Sequence, residues 1–319
     1  RGTVLLYPAF VLHSTIFSNN LRKFSMTAGS NRPILEEDWR KREMKILIIL
    51  SVLALFYLFL ICPRRRRIAP FPSSHRFFAH RGLHDAAAGI PENSLAAFRR
   101  AMEWGYGIEL DVRLSADRVP VVFHDASLSR MCAIDVRVDS LTLQELQQYS
   151  LAGGERIPSL KETLSAIGGK VPLLIEIKME RLDFSLVRAV DALLSSYSGE
   201  YLVQSFHPAA LWWYRLHRPQ VLRGQLSTHF NAENRSLSPF QFLLGKMVLN
   251  AVSRPDFLSY NWHFRQDVSL FLCRRLFSAP CAGWVIRSSQ EMEVCRRDFD
   301  LFIFEKFLPE RSWRETSLP

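Results

Sequence analysis

Cysteine is scarce and unpatterned. The 319 residues hold five (Cys62, Cys132, Cys273, Cys281 and Cys295), an odd number with no CxxC spacing. That argues against a disulfide-framed secreted scaffold or a zinc knuckle and leaves buried or free thiols in a reducing compartment. Only 14 glycines and 16 prolines accompany 48% hydrophobic residues, which excludes disordered and collagen-like chains. A basic body is missing as well. The net charge is +10, but 13 of the 41 Lys and Arg and 4 of the 31 Asp and Glu precede Phe77, leaving 28 against 27 in the remainder. The basicity belongs to the N-terminal tail, so nucleic acid is not an expected partner.

That tail contains what the rest lacks, a long uncharged run. Residues 46–62 read ILIILSVLALFYLFLIC without a charge, Gly or Pro, and Pro63 with Arg64 to Arg67 stops them. A buried core helix would show a polar face and a cleaved signal peptide a small-residue site, so the run predicts a single transmembrane helix. Residues 1–45 read as an N-terminal extension, untranslated or disordered; Met44-Lys45 just before the run reads as a natural start, which would leave residues 1–43 untranslated. The arginine block then outweighs Lys45 and places the following domain in the cytoplasm. Residues 63–76 form a basic juxtamembrane linker.

From 77 to 319, nine β-branched or aromatic runs alternate with helical patterns: 76–80, 107–112, 119–124, 171–177, 201–206, 222–226, 257–261, 282–286 and 301–304. Helix starts are readable at Asn93-Ser94 and in capping boxes at Thr142…Glu145, Ser159…Glu162 and Ser288…Glu291. Strand–helix repetition over this length predicts a (β/α)8 TIM barrel, with one of the nine strands accessory. A doubly wound open sheet is the lesser alternative, because no GxGxxG follows the first strand. Residues 236–252 (SLSPFQFLLGKMVLNAV) are expected as a packed outer helix, and Trp212-Trp213 with Leu211 and Leu216 as a helix face on the sheet.

The ends of the first strands are polar. They carry His80-Arg81, Glu109-x-Asp111, His124-Asp125 and Glu176-x-Lys178. Alternation puts Glu109 beside Asp111 and Glu176 beside Lys178, and a barrel gathers its strand ends at one mouth. Three converging carboxylates suit a hard divalent cation, Mg²⁺ or Ca²⁺. Arg81 and Lys178 suit a phosphate beside it, and His80 and His124 a general acid/base pair.

These residues resemble the glycerophosphodiester phosphodiesterase family. His80-Arg81-Gly82, Pro91-Glu92-Asn93-Ser94, Glu109-x-Asp111, His124-Asp125, Ile157-Pro158-Ser159-Leu160, Glu176-x-Lys178 and Gln204-Ser205-Phe206 follow its order. The resemblance implies metal-dependent hydrolysis of glycerophosphodiesters to an alcohol and glycerol 3-phosphate. It assigns His80 and His124 to acid/base catalysis, Glu109, Asp111 and Glu176 to the metal, and Arg81 and Lys178 to phosphate. Glu92 is expected to orient Arg81 or lie near the metal, and Trp284 to pack on the substrate or in the core. The family's Ile-Thr-Asp-type ending is replaced by Phe302-Ile303-Phe304-Glu305-Lys306, a departure that bears on substrate choice. The competing expectations are a lysophospholipase D-like activity on lysophospholipids at the membrane and a non-enzymatic anchored binding barrel.

Overall fold

The computed structural model describes residues 32–64, 76–230 and 238–310, and the chain packs as two units, Arg1–Phe56 and Tyr57–Pro319. Arg65 to Arg67 of the basic block and most of the linker lie outside the described residues. The uncharged run belongs to a helix, Arg32–Ile61, that begins in the first unit and ends in the second; its side chains from Trp39 to Phe56 are exposed. The stretch Trp39–Ile61 is long and apolar enough to cross a membrane. Its 23 residues give about 34 Å of helix. The helix reaches further back than residue 46 because no Gly or Pro interrupts it there, and it stops at Ile61, short of Cys62, because Pro63 disfavours α geometry before it.

In the second unit the strands are β1 (Phe77–Ala79), β2 (Gly107–Leu114), β3 (Pro120–Val122), β4 (Leu173–Ile177), β5 (Tyr201–Ser205), β6 (Arg223–Ser227), β7 (Phe257–Asn261), β8 (Cys281–Ile286) and β9 (Leu301–Phe304). Eight of them pair in parallel in the order β1-β2-β4-β5-β6-β7-β8-β9, and β9 returns to β1 to close the barrel. The ninth, β3, pairs antiparallel with β2 alone. It is the accessory strand, so His124 stands at the end of a hairpin rather than at the end of a barrel strand.

Alternation decides what fills the barrel. Phe78, Leu174, Leu202, Phe257, Ala282, Leu301 and Ile303 form the interior cluster. Small residues make room for the large ones: a Cβ on Gly224 would sit 2.2 Å from the Phe257 ring. The opposite faces (Ala79, Ile108, Leu110, Ile175, Ile177, Val203) pack against helix residues such as Phe98, Leu164, Val190, Tyr214 and Leu270.

Ser94 caps the helix Leu95–Glu103, its hydroxyl accepting from the Ala97 N–H. The boxes at Thr142 and Ser159 are complete, whereas Glu291 accepts from the Arg287 N–H instead of from Ser288. In place of one packed outer helix, the described part of the apolar 236–252 segment forms a short helix, Pro239–Gly245, and enters a second, Asn250–Ser253, with Phe240, Phe242 and Leu243 exposed. Trp213 and Leu211 pack inward, but Trp212 and Leu216 face out, since a helix surface cannot bury four near-consecutive side chains.

At the opposite end from the mouth, fully buried Arg223 meets Asp256 (3.2 Å), which also accepts from Arg64 (3.3 Å). Burial pulls the Arg223 guanidinium down to about 10, yet it stays charged. Asp256→Ala is expected to destabilise the barrel by about 3–5 kcal/mol, because a buried cation is left without its anion. Chemical denaturation checks this; a loss below 1 kcal/mol would mean that backbone carbonyls alone suffice for Arg223.

Candidate active site

Glu109 and Asp111 point into the barrel from β2, and the register sets Asp111 opposite Glu176 of β4. All three carboxylates are buried, with one oxygen of each within 4.8 Å of the others. Burial pushes Glu109 well above the ordinary carboxylate range, and the neighbouring Asp111 and Glu176 push it further. Burial also raises Glu176, against the pull of Lys178. For Asp111 burial is outweighed by Lys178, His124, Arg81 and a hydrogen bond from Asn93, which hold it far below that range. Three buried carboxylates with this mutual repulsion and an oxygen-only donor set fit a hard divalent cation.

The turn after β1 delivers Arg81. Its backbone is left-handed (φ 56°), its N–H donates to Glu109 Oε2 (3.0 Å), and its guanidinium reaches Glu92 Oε1 (2.6 Å) and Asp111 Oδ2 (3.3 Å). Gly82 follows with φ 78°, and a Cβ there would meet the Ala97 methyl at 2.9 Å, so glycine is required for the turn to approach the helix. Glu92 thus holds Arg81, together with Arg130 (2.6 Å). Asn93 donates to Asp111 Oδ2 (2.9 Å) rather than starting the helix. Lys178, expected to face phosphate, lies between Asp111 Oδ1 (3.0 Å) and Glu176 Oε1 (2.7 Å).

Both histidines are held by carboxylates. His80 Nδ1 is 2.7 Å from Glu305 Oε2, whose other oxygen accepts from Arg287 Nε at 2.8 Å. His124 Nδ1 is 2.6 Å from Asp125 Oδ1, and Asp125 accepts from Arg130 Nε at 2.6 Å. A carboxylate at Nδ1 selects the tautomer that leaves Nε2 free to exchange a proton. Burial lowers both imidazoles below their ordinary range; for His80 the Glu305 contact opposes this, and for His124 the charge of Asp111 does.

Trp284 is half-buried in the barrel interior. It meets Phe206 edge-on (5.9 Å), and its Nε1 is buried without a hydrogen-bond partner among the described residues. The expected residues His80, Arg81, Glu92, Glu109, Asp111, His124, Glu176 and Lys178 are therefore linked by direct contacts or mutual charge, and Trp284 joins the aromatic wall with Phe206 and Phe230. The sequence reading named Asp125 and Glu305 only within longer motifs and gave them no role at the site, and it left out Arg130 and Arg287. Glu305 was readable, because it continues the inward alternation of Leu301 and Ile303. The departure at the last strand thus bears on His80, not on substrate choice alone. Arg130 carried no signal in the sequence.

The glycerophosphoryl diester phosphodiesterase family matches residues 80–296. The chain is 43% identical over 109 residues to a glycerophosphodiester phosphodiesterase of Caldanaerobacter subterraneus subsp. tengcongensis, covering 31% of this chain and 44% of that protein. It is 32% identical over 169 residues to the mouse lysophospholipase D GDPD1, covering 49% and 51% respectively. The chain thus spans about half the length of these curated relatives. Among solved structures, an Oleispira antarctica phosphodiesterase in complex with the product sn-glycerol-3-phosphate superposes with a TM-score of 0.59 at 25% identity, over 72% of this chain and 92% of that one.

Proposed function

We propose, for a chain that belongs to the glycerophosphoryl diester phosphodiesterase family, the hydrolysis of glycerophosphodiesters to an alcohol and glycerol 3-phosphate. The observation that carries this reading is the pair of carboxylate-held imidazoles beside three buried carboxylates. Glu109, Asp111 and Glu176 would hold Mg²⁺ or Ca²⁺, which supplies Lewis-acid stabilisation of charge on the phosphoryl oxygens. Arg81, pinned by Glu92, presents its remaining donors to the phosphate, and Lys178 turns to the same anion once its two carboxylates are engaged. One of His80 and His124 takes a proton from the nucleophile, water or the substrate's own hydroxyl, and the other protonates the leaving alcohol oxygen; a cyclic phosphate formed by the second route is then opened by water to glycerol 3-phosphate. Trp284 packs on the glycerol moiety. Loss of any of the five acid/base and ligand residues would favour the non-enzymatic barrel, and all five are present.

Glu305 and Asp125 act through the histidines by holding their tautomers. Glu305→Gln is expected to lower kcat by about 10–100-fold with KM little changed; steady-state kinetics in which KM alone moves would remove that role.

The stretch Trp39–Ile61 is proposed to span the membrane once, with the basic residues after it keeping the barrel in the cytoplasm. An anchored barrel and the likeness to a lysophospholipase D support a second reading, cleavage of lysophospholipids. The deciding assay compares glycerophosphocholine with lysophosphatidylcholine in the presence of Mg²⁺ or Ca²⁺. Faster turnover of the deacylated substrate is expected; preference for the acylated one would replace the first reading with the second.

A further inference from the structure

We infer that His80, His84 and Glu305 form a second metal site, suited to a borderline ion such as Zn²⁺, and that filling it silences His80. One donor atom from each residue lies within 4.8 Å of the other two. His80 and His84 stand four apart on the turn after β1, and Glu305 comes to them from the end of β9. Glu305 Oε2 is 2.7 Å from His80 Nδ1 and 3.5 Å from His84 Nε2. Its other oxygen is occupied by Arg287 Nε, which leaves Oε2 to the two imidazoles.

His84 is the residue that needs explaining. Its Nε2 is buried, and its one contact is a long one, 3.5 Å to Glu305 Oε2. A desolvated nitrogen held at that distance is poorly compensated, because a hydrogen bond weakens steeply beyond about 3.2 Å. Two imidazole nitrogens and one carboxylate oxygen are the donors that catalytic-type zinc sites use, with a water in the fourth position. The trio Glu109, Asp111 and Glu176 offers oxygen only and suits harder ions. The two sites therefore select different metals a short distance apart.

The consequence follows from which nitrogen is taken. An ion at His80 Nδ1 displaces the proton shared with Glu305, withdraws electron density from the ring and lowers the basicity of Nε2. His80 then no longer cycles a proton, even with Mg²⁺ and substrate in place. This consequence rests on the catalytic reading of His80; the binding itself does not.

The test uses the full chain at saturating Mg²⁺. Zinc binding is read by competition with a chromogenic chelator, and turnover is followed in parallel. Wild type should retain one Zn²⁺ that excess Mg²⁺ does not displace, and should lose turnover as it fills. His84→Gln should keep turnover in the absence of zinc while its zinc affinity and sensitivity fall by at least about tenfold, since even partners outside the ligand set cost about that much. Equal zinc affinity in wild type and His84→Gln would overturn the site, as would relief of inhibition by Mg²⁺, which would place zinc among the oxygen ligands. Zinc that binds through His84 without slowing turnover would overturn the silencing and would tell against the role of His80, leaving the site itself intact.

Discussion

Replacing either imidazole by alanine should reduce turnover by about 10²–10⁴-fold while leaving the barrel folded. Each histidine has Nδ1 committed to a carboxylate, which leaves Nε2 for chemistry. Neither residue is part of the packed interior cluster, so circular dichroism of His80→Ala and His124→Ala should match wild type; His80→Ala should melt lower, because buried Glu305 loses one of its partners and keeps Arg287. The pH profile supplies an independent check. Burial holds both imidazoles below the ordinary value of about 6.5. Lowering the pH protonates the general base and removes activity, and a depressed pKa moves that loss to lower pH. The acid limb of kcat/KM should therefore fall below 6.5; a limb above 7 would mean that a different group controls the reaction. Full activity of either alanine variant would remove the acid/base pair from the mechanism.

The second large effect concerns the carboxylate trio. Chelation with EDTA should abolish turnover, and added Mg²⁺ or Ca²⁺ should restore it. Glu109→Gln should need at least about tenfold more metal for half-maximal turnover. The same substitution has an opposite effect on the metal-free protein. Glu109 has its folded pKa raised by burial and by Asp111 and Glu176, so ionising it costs stability as pH rises above the unfolded value. The neutral amide escapes that cost while still accepting from the Arg81 N–H. At neutral pH, metal-free Glu109→Gln should therefore melt above metal-free wild type, by about 2–4 °C for each kcal/mol of repulsion removed. An unchanged metal requirement would show that Glu109 is not a ligand, and a lower melting temperature would show that its charge is not a cost to the metal-free fold.

Several parts of the molecule were readable without coordinates, each for a local reason. The nine strands were visible because β-branched and aromatic runs were bounded by turn residues. The carboxylates proposed as metal ligands were visible because ExD and ExK spacing puts two charges on one strand face. Ser94, Thr142 and Ser159 announced helix starts because a cap depends only on the residues that follow it. The apolar helix was visible in outline, although its N-terminal reach was underestimated: helix continues through charged residues as readily as through apolar ones.

Other features depended on residues far apart in sequence. Which strand was accessory rested on pairing: β3 closes back on β2 through a tight hairpin, and nothing in its composition sets it apart from the barrel strands. Lys178 was expected on phosphate, yet it bridges Asp111 and Glu176 because those are the nearest buried anions. Arg130 ties Glu92 to Asp125, which links the arginine clamp to one histidine, and no spacing rule connects those three positions.

The chain's order of residues was enough to establish the alternation of strands and helices, the inward faces and the chemical kinds of side chain at the mouth, since each depends on neighbours a few positions away. Closure of the sheet assigned the partners. It brought Glu305 across 225 residues to His80 and set Asp111 beside Glu176. Such pairings arise because buried charges settle on whatever opposite charge or donor the closed barrel places within reach, and that distance exists only after folding.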